Sequence, residues 1–274
     1  MHANTTTSLD IKTSATKSTR NMADDRVALV IGPLIATMLR LGIYLTARQG
    51  ANRGVGLALV KALIESGYRV WGSVRPQTIA DASVGDLRET GAQTVEIDYT
   101  DEKTILKAAK FLEKSEKHLD LLVNCGGVNT KPRQWDGGEA ASLVLEKFKV
   151  MALGPFLATL HFLPLLKKCD LGKVLNISSD LASIAGTDGG RLSYRMAKAA
   201  LNQQTASLAA DFKEKGINVA LVAVHPGRVP TRMSGGSGTD DLVKSVRCMV
   251  KIAKDLDMQT SGRYLKYDGS ELPW

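Results

Sequence analysis

Tyr194 and Lys198 stand four residues apart in Ser193-Tyr-Arg-Met-Ala-Lys-Ala-Ala-Leu-Asn202. The stretch is alanine-rich and predicts a helix. Residues four apart then share one face, which sets the Lys198 ammonium beside the Tyr194 phenol. A free phenol has a pKa near ~10, and a nearby cation favours the phenolate. A tyrosine tuned in that way exchanges a proton near neutral pH, as carbonyl reduction or alcohol oxidation requires. Upstream, Lys173-Val-Leu-Asn-Ile-Ser-Ser179 reads as a buried strand ending in two hydroxyls. A lone Tyr-x-x-x-Lys pair is common and says little. Its weight comes from order: a glycine-rich turn, then Asn124-Cys-Gly-Gly127, then Ser178-Ser179, then Tyr194 and Lys198, then Pro226-Gly227.

These groups need a frame. Arg26-Val-Ala-Leu-Val-Ile-Gly32 is an apolar, β-branched run ending in glycine, the text of a buried parallel strand. A phosphate-binding turn and a helix should follow directly. Instead Pro33–Gly50 intervenes, and only then does Gly50-Ala-Asn-Arg-Gly-Val-Gly56 run into a helix from about Leu57 to Ser66. Removing 33–50 restores a continuous strand–turn–helix. The segment therefore reads as an 18-residue insertion, explicable by an in-frame retained intron or a misplaced exon boundary. Two alternatives exist. Gly42–Gln49 could serve as the first strand, though its apolar run is shorter. Residues 27–47 are long enough to span a membrane, but Arg40 inside them costs ~2.5–3.5 kcal/mol on insertion scales; no membrane anchor is expected.

Tyr68–Arg75 predicts the second strand and ends in a cation. In a dinucleotide fold that tip faces the adenosine ribose, where an acid suits NAD and an arginine suits the 2′-phosphate of NADP. Arg53 in the glycine turn adds a second cation, so NADP is expected over NAD. Thr94–Asp98 predicts the third strand. Asp98 would accept from an adenine amino group or cap the helix beginning near Glu102. Leu119–Asn124 predicts the fourth, with small residues after it that let backbone approach a ligand. Residues 140–168 are long helical text with Gly154-Pro155 inside. Strands follow at 173–177, 217–225 and 264–269, and helices at 192–215 and 241–256; Ser234–Gly238 reads as mobile. Strands alternating with helices predict one α/β domain, residues 26–274, built on a doubly wound parallel sheet.

Length and composition agree. The chain has 274 residues, 44% hydrophobic and 23% charged, ordinary for a globular domain with a full core. Its net charge of +8 comes from scattered Lys and Arg with only 5% aromatics. A basic enzyme with an anionic cofactor accounts for it, and no nucleic-acid role is expected. Cys125, Cys169 and Cys248 are odd in number and lack metal-ligand spacing in sequence. Free thiols in a reducing compartment, and no metal, are expected. Residues 1–25 read as a disordered tail, or as one removed by a start at Met22. A cytoplasmic location is expected, with mitochondrial targeting the alternative, since the tail is hydroxylated and basic.

Taken together, these motifs make the chain resemble the short-chain dehydrogenase/reductase family, in particular the carbonyl-reductase-like branch that includes sniffer and C-factor proteins. The resemblance covers about 26–274 and is carried by Gly50–Gly56, Asn124–Gly127, Ile177–Ser179, Tyr194–Lys198, His225–Thr231 and Asp268–Trp274. It implies a Rossmann-like fold and NAD(P)-dependent hydride transfer on a small carbonyl or alcohol, in a homodimer or homotetramer. It further implies Tyr194 as general acid/base, Lys198 as its tuning cation and ribose ligand, and Ser179, over Ser178, as the group polarising the substrate oxygen. Cofactor contacts are implied at Gly50, Asn52, Arg53, Gly54, Val55, Gly56, Arg75, Asp98, Asn124, Gly126, Pro226, Gly227, Val229 and Thr231. Three departures stand out. The insertion precedes the glycine turn. Met151 replaces the usual Asn that helps hold a relay water, which puts proton relay through Lys198 in question. Asn-Cys-Gly-Gly replaces Asn-Asn-Ala-Gly. The competing reading is a catalytically impaired or mis-spliced protein that only binds cofactor or a partner.

Overall fold

Every residue of Val27-Ala-Leu-Val-Ile31 is buried, as a strand covered on both sides requires. The computed structural model describes residues 26–32, 51–128, 140–231 and 234–274; the Pro33–Gly50 segment and the 1–25 tail lie outside them. In chain order the elements are β1 (Val27–Ile31), α1 (Gly54–Glu65), β2 (Arg69–Val74), α2 (Ser83–Arg88), β3 (Gln93–Glu96), α3 (Glu102–Ser115) and β4 (Leu121–Asn124). There follow α4 (Ala141–Phe148), α5 (Gly154–Leu166), β5 (Gly172–Ile177), α6 (Leu192–Glu214), β6 (Val219–His225), α7 (Leu242–Asp255) and β7 (Tyr264–Lys266).

The seven strands form one sheet in the order β3-β2-β1-β4-β5-β6-β7, and every pairing is parallel. Strand order reverses at β1, which pairs with β2 on one side and β4 on the other. This is the doubly wound Rossmann-like arrangement, and its crevice opens where Ile31 and Asn124 lie in register. Side chains alternate across the sheet. Ala28 and Val30 join the core beneath α1 and α7, while Val27, Leu29 and Ile31 join the one beneath α3, α5 and α6.

The first strand is Val27–Ile31. The alternative at Gly42–Gln49 falls outside the described residues, and Val27–Ile31 being a sheet strand rules out a membrane helix starting at 27. The helix expected from about Leu57 begins at Gly54. A short helix, α2, lies where none was expected. The last strand is shorter than 264–269 because Asp268 Oδ1 accepts from Ser270 N and turns the chain. Ser234 Oγ accepts from Thr231 N and donates to Val229 O, and Thr239 N donates to Arg228 O, so these bonds hold the glycine–serine run expected to be mobile.

Helical text at 140–168 becomes α4 and α5 joined by a π-helical turn at Lys149–Leu153. Pro155 has no N–H to donate one turn back, so the ladder changes spacing there. Ala141–Leu166 is long and apolar enough to cross a membrane by composition, yet more than half of its most apolar 18-residue window is buried against the rest of the protein.

Candidate active site

The strand ends and the helix starts that follow them converge at the carboxyl edge of the sheet. β5 runs out at Ile177 into Ser178 and Ser179. The two hydroxyls diverge: Ser178 Oγ donates to Asn202 Oδ1 at 2.6 Å and is buried beneath α6. Ser179 Oγ accepts from Leu181 N at 3.2 Å, donates to Asp180 Oδ1 at 3.0 Å, and lies beside the Tyr194 phenol. Ser178 is therefore occupied structurally, and Ser179 is the hydroxyl beside the Tyr194 phenol. Tyr264 Oη donates to the Ser179 carbonyl, fixing the backbone there.

Tyr194 lies in the first turn of α6, whose N-cap Arg191 is left-handed at φ 51° after Gly189 and Gly190, which are also left-handed. This run of three turns the chain sharply into the helix. Burial pushes the Tyr194 phenol up to about 12; the Ser179 hydroxyl pulls it down, the Asp180 carboxylate pushes it up and Arg191 pulls it down. Lys198, expected beside the phenol, is not among the groups that shift it. Lys198 is on the same helix but its Nζ donates to Ile177 O at 2.6 Å and Gly126 O at 3.2 Å. Those carbonyls are buried, and an ammonium at 2% exposure is drawn to them. Burial brings Lys198 down to about 8.

Met151, in the π turn, is fully buried against Val128, Val150, Ala197 and Tyr194. An apolar thioether thus fills the space next to the Lys198 helix, as the departure at this position suggested.

Asn124 ends β4. Its Nδ2 donates to Asn176 Oδ1 at 2.8 Å and its Oδ1 accepts from Tyr99 Oη at 2.7 Å. Asn176 continues to Thr205 Oγ1 at 2.9 Å. The network joins the crevice ends of β4 and β5 to α6, so Asn124 supports the site through its neighbours. Tyr99 is wedged so closely that a Cβ on Gly126 would lie 2.8 Å from its ring, and one on Gly154 2.4 Å from its Cβ. Both glycines are explained by Tyr99. Nothing in the sequence marked that tyrosine out.

The glycine turn is tied to the loop after β2. Asn52 Nδ2 donates to Ser83 Oγ at 2.6 Å. Arg53, 8% exposed, pairs with Asp81 Oδ2 at 3.2 Å and donates to Ser83 Oγ at 2.7 Å. Arg53 was expected as a second phosphate cation, but it is engaged by Asp81, which lies 28 residues away in sequence. Gly54 has φ 55° and starts α1, with Val55 and Gly56 in its first turn. The N–H groups of that turn lack intrahelical acceptors and form an anion site by geometry. Gly50 lies outside the described residues.

Arg75 follows β2 as expected. It is 6% exposed, and its Nε and Nη2 have no hydrogen-bond partner among the described residues. Burial lowers its pKa, while Asp98, then Glu146, raise it. A buried guanidinium with open donors is the donor set for a phosphate monoester, so these residues fit a 2′-phosphorylated dinucleotide. Asp98 is also buried, with Oδ1 accepting from Thr100 N at 2.9 Å. It does not cap the following helix; Asp101 does, accepting from Lys103 N.

Hydrogen bonds tie down the described residues that follow β6. Ser245 Oγ donates to Pro226 O at 2.6 Å, and Arg228 N donates to Asp240 Oδ2 at 2.7 Å. Gly227 has φ 81°, and a Cβ there would meet Asp240. Val229 is buried and Thr231 N donates to Ser234 Oγ. His225 Nε2 lies 3.9 Å from Asp180 Oδ2. Burial lowers the His225 pKa and Asp180 raises it. Neither Asp180 nor His225 was singled out as a site residue; a charge directly after Ser179 was the available signal.

The family model described as short chain dehydrogenase matches residues 48–241. The C-signal protein of Myxococcus xanthus is 36% identical over 157 residues, covering 57% of this chain and 93% of that protein. The crystal structure of NADPH-bound carbonyl reductase from chicken fatty liver superposes with TM-score 0.76 at 28% identity, over 91% of this chain and 99% of that one. Carbonyl reductase Sniffer of D. melanogaster gives TM-score 0.76 at 27% identity, over the same shares of the two chains. With Ser179 and Tyr194 meeting at the carboxyl edge of a doubly wound sheet, and with this match spanning most of the chain, the protein belongs to the short-chain dehydrogenase family of oxidoreductases.

Proposed function

We propose that the chain is an NADP(H)-dependent oxidoreductase that reduces an apolar carbonyl compound or oxidises the corresponding secondary alcohol. The meeting of the Ser179 hydroxyl and the Tyr194 phenol carries the chemical part of this reading. Similarity to an NADPH-bound carbonyl reductase and the open donors of Arg75 support the choice of coenzyme. The coenzyme supplies or accepts hydride when bound. Arg75 would hold its 2′-phosphate, and the first turn of α1 its pyrophosphate. The Ser179 hydroxyl, turned from Asp180 to the substrate, would donate to the carbonyl oxygen and polarise it. Tyr194 passes its phenolic proton to that oxygen as charge develops there. Pro226 to Thr231, rigid and carrying buried Val229, would flank the nicotinamide.

Ile184, Leu192 and Met196 are exposed apolar residues on the two segments that carry Ser179 and Tyr194. They favour an apolar substrate body. The Ala185 N–H donates to the Trp274 carbonyl, and the Trp274 ring packs on Tyr264, which steadies that rim.

The test is NADPH oxidation with a panel of aromatic and aliphatic aldehydes and ketones. Tyr194→Phe should lower turnover by roughly 10²–10⁴-fold, the range for general acid catalysis, while NADPH binding persists. Turnover unchanged in Tyr194→Phe would overturn the assignment. A second reading, binding without turnover, is favoured by Lys198 being committed to two carbonyls and by buried Met151. Tight NADPH binding with no oxidation of coenzyme by any substrate would select it.

A further inference from the structure

Three potential metal donors of different chemistry meet at the opposite end of the sheet. His118, Asp120 and Cys169 place one ligand atom each within 4.8 Å of one another, all half-buried. His118 Nε2 is 3.2 Å from Asp120 Oδ2. We propose that these three residues bind a borderline-soft divalent cation, zinc in the first instance, at a structural site remote from Ser179 and Tyr194.

The local backbone explains why the donors face one another. His118 and Asp120 flank Leu119, which is fully buried. In an extended segment, residues two apart point the same way, so with Leu119 turned inward His118 and Asp120 turn outward together. The segment is pinned: Leu119 N donates to Leu165 O, Asp120 N to Val27 O, and Lys173 N to Asp120 O. Cys169 arrives from the turn between α5 and β5, and its Sγ lies 3.1 Å from Leu119 O. The donors therefore come from two chain segments already held by strand pairing.

The chemistry suits zinc. Imidazole nitrogen, carboxylate oxygen and thiolate sulfur are its common ligands, with bonds of about 2.0–2.3 Å. Tetrahedral edges built from such bonds are roughly 3.3–3.8 Å, so the His118–Asp120 edge of 3.2 Å needs almost no adjustment and the others, within 4.8 Å, need to close by ~1 Å or less. A water or the neighbouring Asp170 would complete the fourth position. Hard oxygen-seeking cations such as magnesium are disfavoured by the thiol.

Binding is balanced by one proton. The Cys169 S–H bond breaks, the sulfur electron pair forms the metal bond and the proton leaves to solvent. The charged groups beside the Cys169 thiol are Asp120 and Asp170, and Lys173 faces Asp120. Affinity should therefore rise with pH.

The test is titration of the full chain, stripped by a chelator, with Zn²⁺ by calorimetry and with Co²⁺ by absorbance. The wild type should take one equivalent of Zn²⁺ and develop a thiolate-to-cobalt charge-transfer band. Cys169→Ser should abolish the band and weaken Zn²⁺ binding at least tenfold, and His118→Gln should weaken it similarly. Cys248→Ser should leave both unchanged. Asp120 is left intact because its Oδ2 also accepts from Val27 N at 2.6 Å. No charge-transfer band in the wild type, or equal affinity in folded Cys169→Ser, overturns the proposal. Neither readout depends on catalysis.

Discussion

Burying a guanidinium at the tip of β2 with two nitrogens unpartnered costs free energy that a bound phosphate would return. Arg75→Gln should therefore weaken NADPH binding by about 1.5–3 kcal/mol, the range for hydrogen bonds to charged groups, or roughly 10- to 100-fold. NADH binding should change little. Fluorescence titration with both coenzymes checks this, and an equal loss for both would remove Arg75 from the 2′-phosphate. Asp180 acts on the other side of the site. Its carboxylate opposes ionisation of Tyr194, so Asp180→Asn should lower the phenol's pKa. Under the proposed mechanism the protonated phenol would be the acid in reduction, and the alkaline limb of kcat/KM should move to lower pH by a fraction of a unit. An unmoved limb would mean that Asp180 does not face the reacting phenol. The residue types at the site were legible from order alone: Ser179, Tyr194, Asn124 and Arg75 stand where the motifs place them. Spacing could not show which acceptor a flexible amine selects. Helical periodicity puts Lys198 on the face of Tyr194, but the carbonyls of Ile177 and Gly126 decide where its Nζ goes. Spacing is equally silent on the Arg53–Asp81 pair, because the two are distant in sequence.

Among the elements, the joint between α4 and α5 shows how packing overrides helical text. Gly154 reads as an ordinary weak point in a helix, yet its missing side chain is what admits Tyr99. Gly154→Ala would press a methyl carbon to 2.4 Å from Tyr99 Cβ. Overpacking of this kind costs typically 1–3 kcal/mol, and the melting temperature should fall accordingly. Gly85 is the control: it lies in α2 with nothing near its Cβ direction, so Gly85→Ala should be neutral or stabilising by up to about 1 kcal/mol. Equal effects of the two would sink the wedge argument. Element types were readable because buried β-branched runs alternate with amphipathic stretches. The π turn and α2 were not, since one depends on a proline's missing donor and the other on a loop held by Ser83 and Asp81.

For the whole molecule, acid stability should carry the signature of the turn that ties α1 to β2. Asp81 is lowered from 3.8 to about 2, first by the Ser83 hydroxyl, then by the Ser83 N–H, with Arg53 adding to them. A depressed carboxylate contributes stability that is present above its unfolded pKa and is lost as pH falls through the folded one. Screened by solvent, the contribution is at most about 1 kcal/mol at neutral pH and disappears between roughly pH 4 and 2. Asp81→Asn should be destabilised by that amount at pH 7 and should match the wild type near pH 2 in urea denaturation. A gap that persists at pH 2 would assign the loss to something other than the charge.

Gly32 and Ala51 are both buried, one closing β1 and the other opening the turn before α1, and Gly32 N is fixed by Ser73 Oγ at 3.0 Å. The sheet is thus complete on either side of whatever joins them. Since each doubling of a flexible loop costs only about 0.6 kcal/mol, thermodynamic stability is nearly blind to chain length at this seam. Under the proposed function coenzyme affinity would not be, because the seam opens beside the first turn of α1, where the pyrophosphate would lie. Length changes here, whether by splicing or by design, can adjust cofactor handling while selection for folding hardly registers them.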